Sequence, residues 1–197
     1  MKQKNLKSIF ITIIILFFTA CSSIDYKVNS INGSELKDKI PLKNSKIYIV
    51  NGGDGREMSY LSFGNSDEIA KGSGFSALKI ASDNLSKYTA NVVSEKEILL
   101  EDKALEIGAI NQSDYLIYSR VEQWSDPLGI NCHSHYYDEA SVLLSIYSVK
   151  DEKLIDTSRL SSKSCPFKMN GIPVSTGSPE KLYSVLFSKW LDEKFKR

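Results

Sequence analysis

The chain has two histidines, and they stand together as His133 and His135 in Cys132-His133-Ser134-His135, with Asp138 three residues on. On an extended backbone alternate side chains point the same way. The two imidazoles would then share one side and, with the carboxylate, could hold zinc and leave a position open. Against this, there is no third histidine, Cys132 is better used in a disulfide, and the stretch has the composition of a solvated loop tip. No metal and no other cofactor is expected. Hydrolytic chemistry would need a nucleophile, a base and donors for an oxyanion. Neither Gly-x-Ser-x-Gly nor His-Glu-x-x-His occurs. The paired carboxylates Glu101-Asp102 and Asp138-Glu139 read as solvated faces. The expectation is a protein without enzymatic activity.

The third cysteine, Cys21, has a different setting. Lys2, Lys4 and Lys7 precede an apolar run from Ile9 to Phe18 broken only by Thr12, which is a charged n-region and an h-region of secretory-signal length. A spanning helix needs roughly 20 apolar residues, more than this run offers. The run closes on Phe18-Thr19-Ala20-Cys21-Ser22-Ser23, which resembles the lipobox of bacterial lipoproteins, with Phe18 where that family most often has Leu. The resemblance implies a signal peptide over residues 1–20, cleavage before Cys21, and acyl chains on its thiol and new amine. Two or more chains give stable anchoring. Ser22 after the cysteine implies an outer-membrane address in a Gram-negative cell, with the domain facing the periplasm.

Cleavage leaves 177 of the 197 residues and takes the net charge from +1 to −2, because the leader carries three lysines and no acid. A nucleic-acid partner would need a basic surface, so that class is excluded. One domain with a substantial core is expected. Lipidation of Cys21 leaves Cys132 and Cys165, and an even pair in an oxidising compartment reads as a disulfide. In the chain-entropy model that bridge would stabilise the fold by about 3–4 kcal/mol.

These groups need a scaffold, and hydrophobic periodicity supplies its outline. Residues 21–45 are polar and read as a lipidated, flexible tether, with a single domain over 46–197. Lys46-Ile47-Tyr48-Ile49-Val50 is a strand that ends in the turn Asn51-Gly52-Gly53-Asp54-Gly55. Ser73 is placed as N-cap of a helix with a core stripe of Phe75, Leu78, Ala81, Leu85 and Tyr88. A short strand from Thr89 to Val93 follows. Ser94-Glu95-Lys96-Glu97 then has the spacing of a capping box, opening a helix to about Ile107 with Gly108 near its end. Asp114 to Trp124 is the strongest strand pattern, with Arg120, Glu122 and Trp124 on one face. Ala140 to Val149 and Lys153 to Ser162 form a hairpin that would bring Cys165 beside residue 138, near the loop of Cys132. Ser178-Pro179-Glu180 opens a last helix with Leu182, Val185, Leu186, Trp190 and Leu191 as its apolar face. The order β-α-β-α-β-β-β-α predicts an α/β (α+β) fold: one mixed sheet of about five strands with three helices packed on it.

Lys71-Gly72-Ser73-Gly74, the segment Ser94 to Gly108, Ser113-Asp114-Tyr115-Leu116-Ile117-Tyr118 with Trp124 beyond, and Ser145-Ile146-Tyr147-Ser148-Val149 through Leu154-Ile155-Asp156 resemble bacterial lipoproteins carrying domain of unknown function 4823. That family has no established activity, so the resemblance implies fold and cellular place and no chemistry. Element order alone is similar to the periplasmic α/β domains of outer-membrane assembly and peptidoglycan-synthase activator lipoproteins. Aromatic groups are favoured at interfaces, and Trp124, Tyr136, Tyr137 and Phe167 are the candidate contact surface. The expected function is that of a membrane-anchored, non-enzymatic envelope lipoprotein bound to the bilayer through acylated Cys21 and to another envelope component, a protein complex or peptidoglycan. The alternative is a small-ligand or metal binder using the Cys132 to Asp138 loop.

Overall fold

Ile47-Tyr48-Ile49-Val50 contains no charged position, the pattern of a strand covered on both faces, and all four side chains are buried. The computed structural model describes residues 25–32, 38–54, 71–125, 138–164, 167–169, 172–175 and 178–196. Its strands are β1 (Asp25–Asn32), β2 (Ile40–Pro41), β3 (Ile47–Asp54), β4 (Val92–Ile98), β5 (Tyr115–Ser125), β6 (Asp138–Ser148), β7 (Lys153–Ser164), β8 (Phe167–Met169), β9 (Ile172–Ser175) and β10 (Phe195–Lys196). Its helices are α1 (Ser73–Leu85), α2 (Glu101–Ile110) and α3 (Pro179–Lys194).

Six strands form one mixed sheet in the order β1-β7-β6-β5-β3-β4. β3 pairs in parallel with both β4 and β5, whereas β5, β6, β7 and β1 run antiparallel in turn. The chain steps outward from β3 to β4 and then back across β3 to β5. Right-handed crossovers in opposite directions place their helices on opposite faces. Accordingly, α1 and α3 cover one face over Ile47, Ile49, Ile117, Val142 and Leu160. On the other face α2 covers Tyr48, Val50, Leu116 and Val149 through Ala104. Gly108 lies within α2, and an added Cβ there would stand 3.3 Å from the Tyr48 ring, so the glycine lets the helix approach the sheet. The helix runs past it to Ile110 and ends with Gln112 at φ 52°; Ser113 N donates to Gly108 O and Gln112 N to Ala109 O, the Schellman pattern.

The mixed α+β class and the three helices agree with the sequence pattern, and the final helix starts as expected. Ser178 Oγ accepts from Lys181 N at 3.3 Å, with Pro179 in the first turn. Four local expectations are corrected. The supposed tether contributes β1, which pairs along β7 with Tyr26 and Val28 packed against the core, and also Ile40 and Leu42, both buried. An edge strand is paired on one side only, so it needs fewer apolar residues than a central one. Ser94-Glu95-Lys96-Glu97 stays in β4 and caps nothing. The Glu95 carboxylate accepts from the backbone N–H of Lys96 and Glu97 within the strand, and pairing with β3 outweighs the local spacing. Gly72, at φ 81°, is the N-cap of α1, and Ser73 is its first residue. Phe75 is 48 % exposed because the buried stripe runs through Ser73, Gly74, Ala77, Leu78, Ala81 and Leu85.

The sheet face beyond α2 is polar and carries cross-strand ion pairs. Arg159 donates to Glu122 from Nε at 2.6 Å and from Nη2 at 2.9 Å, and Lys163 meets Glu139 at 3.0 Å. The hydrogen bond from Arg159 holds the Glu122 carboxyl below its ordinary value, against the opposing effect of burial. A depressed folded-state pKa means that the pair's contribution is complete above the unfolded value, near 4.5, and is lost as pH falls through the lower folded value. Glu122→Gln is thus expected to flatten the acid side of a stability–pH curve measured by urea unfolding between pH 3 and about pH 6. An unchanged slope would show that Glu122 has no part in it.

Candidate functional site

Most residues of the expected site fall on two segments. Cys21, Cys132, His133, His135, Tyr136, Tyr137 and Cys165 lie outside the described residues. The register does place Ser164 of β7 opposite Asp138 of β6. The hairpin geometry behind the expected Cys132–Cys165 bridge is present, but the bridge itself has no support in the structure. Phe167 opens β8, which pairs with β9, and its side chain lies outside the description. Asp138 is 2 % exposed at the start of β6 and already engaged, so it does not stand on a solvated loop tip. Among the described residues no cluster of three or more His, Cys, Asp or Glu could hold a metal.

Trp124 is a further correction. It is 2 % exposed, edge-on to Tyr183 with centroids 5.8 Å apart, and its Nε1 donates to Glu180 Oε1 at 3.3 Å. A bulge between Val121 and Gln123 on β5 causes this. One extra residue shifts the two-residue period, so Trp124 joins Ile117 and Val121 on the core face instead of following Arg120 and Glu122. It belongs to the core and not to a contact surface.

In open α/β sheets ligands commonly sit beyond the carboxyl ends of parallel strands where the order reverses, here β3 and β5. Asn51 closes that place. Its side chain is 1 % exposed, its Oδ1 accepts from Gly53 N at 2.9 Å, and a Cβ added at Gly74 in the first turn of α1 would stand 2.5 Å from that oxygen. The helix start is packed against the asparagine.

The open feature lies on α2 instead. Asp102, Leu105, Glu106, Ala109 and Ile110, together with Glu152 from the β6–β7 turn, line a groove of about 540 Å³. Leu100 and Ile110 are 80 % and 71 % exposed at the two ends of the helix. The floor is aliphatic and the rim carries three carboxylates. Glu101, beside it in the first turn, has its carboxyl pushed up by burial and by Asp102, with Arg120 opposing. No nucleophile or imidazole lines the groove. Its chemistry is that of a contact surface, with apolar area to bury and a negative rim to orient what buries it. Sequence reading missed it, although the signal was present: Leu100, Leu105 and Ile110 are spaced five residues apart, so on a helix they point in three different directions and no single buried face holds them all.

The chain matches no protein-family model, that of domain of unknown function 4823 included, and no curated protein is similar to it in sequence. Its fold does have solved counterparts. PelC from Paraburkholderia phytofirmans, described as a dodecamer, superposes with a TM-score of 0.61 at 15 % identity, over 88 % of this chain and 100 % of that one. Protein XCC0632 from Xanthomonas campestris, of family DUF330, gives 0.45 at 8 % identity over 78 % and 83 % of the two chains. Lipoprotein GNA1162 from Neisseria meningitidis gives 0.41 at 11 % identity over 75 % and 96 %. At 15 % identity the likeness to PelC is one of fold. No helix among the described residues is long and apolar enough to cross a membrane.

Proposed function

We propose that the chain is a lipid-anchored, non-enzymatic envelope protein that acts by contact. It works as one subunit of a homo-oligomer and touches another envelope component, a protein complex or peptidoglycan. The observation that carries this reading is the groove on α2, where Leu105, Ala109 and the exposed Ile110 form an aliphatic floor with no nucleophile or imidazole beside it. The lipobox residues Ala20-Cys21-Ser22 support the anchor and the outer-membrane address facing the periplasm. PelC, which shares the fold, is described as a dodecamer, and that supports self-association. The metal-binding alternative on the Cys132 to Asp138 loop is not favoured, because Asp138 is enclosed in β6. Palmitate labelling in a Gram-negative host tests the anchor. Label should enter the full chain and be lost, with the membrane association, in Cys21→Ser; retention of both overturns it. Crosslinking in intact cells, followed by mass spectrometry, should recover the chain joined to copies of itself and to an envelope component. Recovery of monomer alone overturns the contact reading.

A further inference from the structure

We propose that the groove on α2 receives the outward face of α3 from a second copy of the chain; this rests on the homo-oligomer reading above and names its surfaces. On α3, Leu182, Tyr183, Leu186, Phe187 and Trp190 face inward. Lys181, Val185 and Lys189 recur every fourth residue on the outside, and all three are exposed, Val185 by 40 %. At helical spacing they form one stripe, an aliphatic group between two cations. On α2 the complementary pattern appears: Leu105, Ala109 and Ile110 between the carboxylates of Asp102, Glu106 and Glu152. Each stripe spans eight residue steps, about 12 Å at the rise of an α-helix. Docked together, Val185 covers the aliphatic floor and the two lysines reach the acidic rim.

Glu106 and Lys189 have weak commitments within their own subunit. Glu106 meets Lys103 at 2.8 Å in an exposed pair, Lys189 Nζ lies 4.3 Å over the Tyr26 ring, and Lys181 has an interaction of its own. Exposed contacts of this kind stabilise little and can be exchanged for contacts across an interface. Strand addition at the β4 edge is guarded where the Glu95 carboxylate occupies the N–H groups of Lys96 and Glu97.

Because α2 and α3 lie on opposite faces of the sheet, the contact joins two different surfaces. Such a head-to-tail contact repeats from copy to copy and either closes a ring or extends without end. Lipid on every Cys21 would hold all copies in one plane, which a closed ring satisfies and a climbing filament does not.

Cysteine trapping on the full lipidated chain in detergent tests the arrangement. The double variant Ile110→Cys with Val185→Cys, mildly oxidised, should give a ladder of covalent dimers, trimers and higher species. Wild type and each single variant should not. Ile110→Glu, at a position exposed enough to leave the fold intact by circular dichroism, should shift the assembly to monomer in native mass spectrometry. A double variant without a ladder, a single variant that traps as well as the double, or an Ile110→Glu chain that stays assembled overturns the proposal. Wild type that is monomeric in native mass spectrometry overturns the homo-oligomer reading itself. An assembled wild type whose double variant gives no ladder overturns only these surfaces.

Discussion

Replacing Asp156 with alanine is expected to remove about 3–5 kcal/mol of stability, a large part of the roughly 5–15 kcal/mol that a domain possesses. Asp156 lies on β7 with its side chain fully enclosed, and Lys194, the last residue of α3, reaches it with Nζ 3.0 Å from Oδ1 while itself only 4 % exposed. Ser158 Oγ donates to the other oxygen at 2.6 Å, and Ser30 Oγ on β1 donates to Oδ1 at 3.2 Å. One carboxylate therefore joins the closing helix to two strands. Alanine would leave the Lys194 ammonium buried with only the half-exposed Glu193, 3.6 Å away, as a partial substitute. Most of the loss comes from that stranded charge and not from the net worth of the pair. The paired change Asp156→Leu with Lys194→Met should accordingly recover much of the stability. Urea unfolding of the two variants decides the matter: a single variant no less stable than the double would contradict this account.

The second large effect is expected at Trp190. Five rings follow one another along α3 and its end: Trp124 to Tyr183 at 5.8 Å, Tyr183 to Phe187 at 5.7 Å, Phe187 to Trp190 at 5.2 Å and Trp190 to Phe195 at 5.5 Å. Trp190 is the largest interior link, fully buried, and touches rings on both sides. Trp190→Ala should cost about 3–5 kcal/mol through lost burial and the cavity left between Phe187 and Phe195. Trp190→Phe should be much milder. The indole N–H has no hydrogen-bond partner among the described residues, so its removal relieves a desolvation cost that offsets part of the lost volume. Chemical denaturation followed by Trp124 fluorescence distinguishes the two, and equal losses would show that the cavity is not the main cause of the destabilisation.

How much of this was legible in the sequence depended on whether local pattern and tertiary pairing agreed. At β3, β5 and the β6–β7 hairpin they did, because these strands are paired on both sides and their apolar runs follow directly from burial. The start of α3 was legible for a local reason, since Ser178, Pro179 and Glu180 each suit the first turn of a helix irrespective of what packs on it. β1 was not, because Tyr26 and Val28 are too few apolar residues to mark a strand whose stability comes from pairing with β7, far along the chain. Ser94 to Glu97 carried a helical signal that the edge of the sheet overrode. Trp124 depended on a single extra residue at a bulge, for which composition offers no sign. The candidate site was hidden for the same reason: Leu105 and Ile110 look like core residues until the sheet has room for only part of α2.

The position of β1 alters the geometry of anchoring. It begins at Asp25, four residues after Cys21, and four residues of extended chain reach at most about 14 Å. With acyl chains on Cys21, the edge of the sheet would stand almost against the headgroups, and the domain could not sweep the periplasm on a long leash. Its encounters with other anchored proteins would then be with neighbours sliding in the same leaflet, a two-dimensional search in which even a weak lateral affinity is multiplied by high local concentration.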